Sequence, residues 1–139
     1  MIGEDDYKLA EHLRAAVGAF VRKTREGAST PSSAQSETLS LLERRGPLSA
    51  AALARLRGVT HQSMRVTAGE LMEQGLVSGT PDPEDGRSKL YQLNDEGLRT
   101  LQALRQARAK WLAENWVSTL TQTERRTIQD AIELLNRIV

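Results

Sequence analysis

The sequence predicts a mainly helical fold that carries one small β-hairpin. Apolar residues recur at three-and-four spacing over most of the chain, the period of a helix with one buried face. That period breaks once, between Leu76 and Leu93, where two short apolar runs flank the turn-rich stretch Pro81-Asp82-Pro83-Glu84-Asp85-Gly86. Aromatic residues are only 4% of the chain (Tyr7, Phe20, Tyr91, Trp111 and Trp116). The core therefore rests on Leu, Ile, Val, Ala and Met, which suits packed helices better than a β-sandwich. A length of 139 residues fits a single domain.

A first helix is expected over residues 5–26, where Leu9, Ala10, Leu13, Ala16, Val17, Phe20 and Val21 form one stripe. Gly27 and the run Ser29-Thr30-Pro31-Ser32 end it. A second helix follows over 33–45, with Ser32 and Gln35 spaced as a capping box and Leu39 and Leu42 facing inward. Gly46-Pro47 stops it, since proline cannot continue a helix. Ser49 suits the cap of a short helix over 50–56, with Leu53 and Leu56 inward and Gly58 at its end. Thr60 suits the cap of a longer helix that runs to about Gln74, closed by Gly75, with Met64, Ala68, Leu71 and Met72 as its buried face.

Residues 76–80 and 88–93 read as the two strands, too few to stand without helices behind them. Asn94 opens a long helix over 95–116, with Leu98, Leu101, Leu104, Trp111 and Leu112 along one side. Thr121 and Glu124 make a capping box for the last helix, whose stripe is Ile128, Ala131, Ile132, Leu135 and Ile138.

Several chemistries are excluded or disfavoured. The chain has no cysteine, hence no disulfide framework, thiolate metal site or catalytic thiol. Its two histidines, His12 and His61, fall on different helices and make a poor zinc set. The acidic turn before Gly86 fails the calcium-loop pattern, because the first and twelfth positions hold Pro81 and Gln92. No phosphate-binding loop, dinucleotide fingerprint, nucleophile elbow or zinc-protease motif is present, so neither an enzyme nor a cofactor is expected. The acidic start Met1-Ile2-Gly3-Glu4-Asp5-Asp6 lacks a signal-peptide core, and no apolar run approaches membrane-spanning length. A cytoplasmic protein with no membrane partner is the expectation.

The order of elements carries the functional signal. A short helix, a tight turn and a longer helix match a helix-turn-helix, and the hairpin after them matches a wing. A helix fits the major groove of B-DNA, and residues near its N-terminus reach base edges. Here those residues are Thr60, His61, Gln62, Ser63 and Arg65. Glutamine pairs with adenine, arginine with guanine or phosphate, and threonine or serine with phosphate or base edges. Arg87 follows the Gly-bearing turn of the wing, with Asp85 before it and Lys89 after it. Net charge is only +1, so any field that attracts DNA must come from local placement. Arg55 and Arg57, like Arg99, Arg105, Arg108 and Lys110, read most simply as solvated.

The same residues bear a family resemblance. Ser49-Ala50-Ala51-Ala52-Leu53-Ala54, Val59-Thr60-His61-Gln62-Ser63-Met64, Leu71-Met72-Glu73-Gln74-Gly75-Leu76-Val77, Asp82-Pro83-Glu84-Asp85-Gly86-Arg87-Ser88 and Leu93-Asn94-Asp95-Glu96-Gly97 resemble, in order and spacing, the MarR family of bacterial and archaeal regulators. Asp85-Gly86-Arg87 is the most specific part.

The resemblance implies one domain over 1–139, with a winged-helix DNA-binding lobe at about 30–93 and dimerisation helices at about 5–26 and 94–139. It implies a homodimer on double-stranded DNA that straddles a pseudo-palindromic operator and acts as a repressor. It implies that Arg87 enters the minor groove with Asp85 holding it. Trp111 and Trp116, on the long helix, read as packing at the dimer seam, with the lining of a ligand pocket as the alternative. Many members release DNA when a small aromatic or phenolic compound binds. One departure stands out: many members have a basic residue where this chain has Val66, and its arginine comes one position earlier, at Arg65. Arg65 is thus left between a phosphate and a base. A winged helix that contacts only proteins is the alternative.

Overall fold

Hydroxyl and amide side chains start four of the helices in the computed structural model, which describes residues 1–30 and 33–139. Ser49 caps α3 (Ala50–Arg57), accepting from the Ala52 N–H at 3.1 Å. Thr60 caps α4 (His61–Glu73), accepting from Ser63 N–H at 3.1 Å. Asn94 accepts from Gly97 N–H at 2.8 Å at the start of α5 (Asp95–Asn115). Thr121 and Glu124 form the reciprocal capping box of α6 (Gln122–Asn136). Each bond satisfies a backbone donor that the helix leaves orphaned. The remaining helices are α1 (Glu4–Gly27) and α2 (Ser33–Arg45). The expected cap of α2 at Ser32 lies outside the described residues.

The expected hairpin is a three-stranded antiparallel sheet in the order β1-β3-β2, with β1 Leu48–Ser49, β2 Val77–Pro81 and β3 Lys89–Leu93. Its extra strand pairs Leu48 with Tyr91 and Ser49 with Leu90. Long-range pairing gives the two residues before α3 their strand conformation, which no local pattern announces. At the other end of α5 the helix stops at Asn115 and a 3-10 turn, Val117–Thr119, leads to α6.

The described chain divides into two units. One comprises residues 30–106 and holds the core: Leu39 and Leu42 from α2, Leu53 and Ala54 from α3, Met64 and Leu71 from α4, with Leu76, Val77 and Leu101. Gly97 lies here, where a Cβ would collide with the Leu76 carbonyl, so α5 starts against bare backbone. Two expected core residues are on the surface: Leu56 is 43% exposed and Met72 36%. On α3 the buried side is filled by Ala50, Leu53 and Ala54, and on α4 by Met64, Thr67, Ala68 and Leu71, which leaves Leu56 and Met72 at the margins. Arg57, read as solvated, is instead packed in: its side chain is 9% exposed, its guanidinium pairs with Glu37 at 3.1 Å, and its Nε is buried without a partner.

The other unit comprises residues 1–29 and 107–139. Here the indole of Trp111 lies where a Cβ on Gly27 would sit, and Phe20 meets Trp116 edge to face at 5.5 Å. The apolar stripe of α1 remains open: Leu9, Leu13, Val17, Phe20 and Val21 are each more than 40% exposed. On α6, Ile132 and Leu134 are exposed as well. Among the described residues no helix is long and apolar enough to cross a membrane.

Candidate nucleic-acid interface

The turn between α3 and α4 fixes how α4 is presented. Gly58 takes the left-handed conformation, φ 67°, that ends α3, and Val59 N–H bonds back to the Ala54 carbonyl at 3.0 Å. Thr60 then starts α4 with its hydroxyl committed to the Ser63 N–H. Because Met64, Thr67, Ala68 and Leu71 are buried, the helical period turns His61, Gln62, Arg65 and Val66 outward.

The wing tip is built by its own side chains. Strand pairing ends at Pro81 and Lys89, leaving residues 82–88 as the tip. Asp82 accepts from the Glu84 N–H at 2.9 Å and from the Ser88 hydroxyl at 3.3 Å. Asp85 accepts from the Arg87 N–H at 3.0 Å. These are Asx turns, in which a short carboxylate substitutes for a backbone acceptor. Gly86 is not among the residues with positive φ, so Asp85-Gly86 marks the hairpin without forming a tight two-residue turn. Asp85 thus holds Arg87 through the main chain.

A cleft of about 490 Å³ opens between the start of α3, the start of α4 and the wing. His61 and Arg65 reach it from α4, and Asp85, Arg87 and Lys89 from the wing, with Asp82, Ser88 and Tyr91 beside them. Five of the eight residues singled out in the sequence therefore meet in one place. Gln62 lies in a shallow hollow with His61, Arg65 and Val66. Thr60 and Ser63 are exposed but line neither concavity. Both acids of the cleft already accept bonds from the tip, whereas Arg65, Arg87 and Lys89 line it beside the exposed N-terminus of α4. Three cations thus stand together on one surface although the net charge of the chain is only +1.

Sequence reading missed Ser49, Asp82, Ser88 and Tyr91 in this cleft. Asp82 and Ser88 carried a local signal, since a short acid two residues before a turn donor forms an Asx turn. Tyr91 carried none, because its place depends on pairing with β1. Among the described residues no cluster of His, Asp and Glu is able to hold a metal.

Comparison with known proteins bears on the fold and the class of function. The sequence profile of the MarR family matches residues 30–88. An HTH-type transcriptional regulator of Mycobacterium bovis is 33% identical over 138 residues, covering 98% of this chain and 96% of that one. A Pseudomonas aeruginosa protein described as a transcriptional regulator has a crystal structure that superposes with a TM-score of 0.81 at 28% identity, covering 99% of this chain and 97% of the other. The PcaV transcriptional regulator of Streptomyces coelicolor, solved in complex with its natural ligand, shares the fold with a TM-score of 0.62 at 22% identity, covering 99% of this chain and 98% of the other.

Proposed function

Since the chain belongs to the MarR family of transcriptional regulators, and so to DNA-binding regulators, we propose that it acts as a homodimeric repressor on a pseudo-palindromic operator and is released by a small aromatic ligand. The convergence of His61, Arg65, Arg87 and Lys89 on one cleft beside the N-terminus of α4 carries this reading. In it, α4 lies in the major groove, Gln62 meets base edges, and Thr60, Ser63 and Arg65 contact the flanking backbone or bases. The wing brings Arg87 to the minor groove, with Asp85 bracing its main chain and Lys89 on phosphate.

The homodimer is supported by the open stripe of α1 and the exposed Ile132 and Leu134 of α6, an amount of apolar surface that favours a partner. A two-fold dimer places its two recognition helices about 34 Å apart, one turn of DNA. Ligand release is supported by the liganded state of PcaV, whose fold this chain shares.

Selection of random duplex DNA by the purified protein tests the reading. The expected product is a two-fold symmetric motif with half-sites one helical turn apart. Absence of enrichment in low salt, with no ligand present, would overturn it and favour a protein-contacting winged helix.

A further inference from the structure

Val66 stands on α4 without a role in the fold. The buried residues Met64, Thr67, Ala68 and Leu71 define the inner side of the helix. At 100° per residue, Gln62, Val66 and Gly69 fall near the line directly opposite. Val66 is 58% exposed there and shares its hollow with Gln62, one turn earlier. A valine in this position is a poorer helix former than most alternatives and keeps apolar surface in water. Gly69, three residues on, has no atom of the described residues within 4 Å of where a Cβ would be, so none of those neighbours requires a glycine. The outermost line of the helix therefore carries an amide, a branched aliphatic group and a bare stretch of backbone, a combination that folding alone does not favour.

We infer that Val66 is a base-reading residue whose methyl groups pack on the C5 methyl of a thymine. This rests on the DNA-binding reading above. The major-groove edges of the four bases display donors, acceptors and a single kind of apolar group, the thymine methyl. Against any other edge a valine would desolvate a donor or acceptor and return no hydrogen bond. Gln62 supplies the amide that suits adenine N6 and N7, so the two residues together favour a site rich in A·T pairs beneath the first two turns of α4. Gly69 keeps the backbone clear, which lets a side chain as short as valine come down to the base edges.

The test uses the duplex selected by the full-length wild-type protein. Each symmetric pair of thymines in it is replaced by deoxyuridine, which removes the methyl and leaves every hydrogen-bonding group in place. Affinities are measured for the wild type and for Val66→Ala, a change that an exposed helix position tolerates. One pair of replacements is expected to weaken wild-type binding about fourfold at each half-site, the scale of one buried methyl, and to leave Val66→Ala unaffected. The inference is overturned if no replacement weakens the wild type, or if the same pair weakens Val66→Ala equally. Failure to select any DNA would overturn the DNA-binding reading as well. Selection of DNA that is indifferent to deoxyuridine would overturn only the role of Val66.

Discussion

The Asp85 carboxylate accepts a hydrogen bond from the backbone N–H of Arg87 at 3.0 Å, so the acid fixes the stretch of main chain from which the arginine projects. Three substitutions separate shape from charge. Arg87→Ala should weaken DNA binding across all sequences and lower the slope of log affinity against log salt by about one, because one cation fewer then displaces counterions from the duplex. Asp85→Ala should leave the charge in place but loosen the tip, with a smaller loss of about 1 kcal/mol. Asp85→Asn retains an acceptor and should bind nearly as well as the wild type. Titrations at several salt concentrations check all three, and an Arg87→Ala protein of unchanged affinity would remove the wing from the interface.

Gln62→Ala should relax base preference at one symmetric pair of operator positions and leave the rest of the motif intact. Repeating the selection with the variant reads this directly. Matching profiles for variant and wild type would exclude Gln62 as a reader.

Gly69→Ala should move stability and binding in opposite directions. Among the described residues nothing obstructs the added methyl, so the helix gains about 1 kcal/mol. On DNA the same methyl stands between α4 and the groove floor, and affinity should fall. Thermal melts and DNA titrations on one preparation give both numbers. A more stable variant that binds DNA normally would show that α4 does not approach closely at Gly69.

Val17→Asp should abolish self-association. Val17 lies within the open stripe of α1, 43% exposed, where a charge leaves the isolated chain undisturbed but cannot be buried against a second copy. Sedimentation should show monomers for the variant and dimers for the wild type. Dimers of Val17→Asp would place the subunit contact elsewhere.

Acid should weaken the unit formed by residues 30–106 through Glu43. Hydrogen bonds from Arg105, at 2.8 and 3.2 Å, hold the Glu43 carboxyl below its ordinary value of 4.5. The resulting stabilisation is complete above that value and disappears as pH falls through the lowered one. For a half-exposed pair it amounts to about 0.5 kcal/mol. Glu43→Gln should flatten this part of the stability–pH curve, and an unchanged curve would show that the pair contributes nothing.

Much of the fold was legible because its helices announce their ends. Ser49, Thr60, Asn94 and Thr121 each stand one residue before a helix and each caps it as the sequence suggests. The β1 strand was not legible, since Leu48 and Ser49 are extended only because the edge of β3 is there to pair with them. Nor were the margins of the buried faces. Periodicity gives the angle between Leu53 and Leu56, but whether the second is covered depends on what stands beside α3. In the interface, the positions His61, Gln62, Arg65 and Arg87 followed from their places next to a cap or a turn. Val66 stood out in the sequence only as a departure from the basic residue that the resemblance leads one to expect, and its outward position came with the structure.

The bonds that shape the wing tip join Asp82, Glu84, Asp85, Arg87 and Ser88 to one another. A loop whose conformation is written in its own seven residues is a portable cassette. On the reading that the wing touches DNA, substitutions there would alter the grip on the operator without reopening the packing of the helices, which separates binding strength from fold stability.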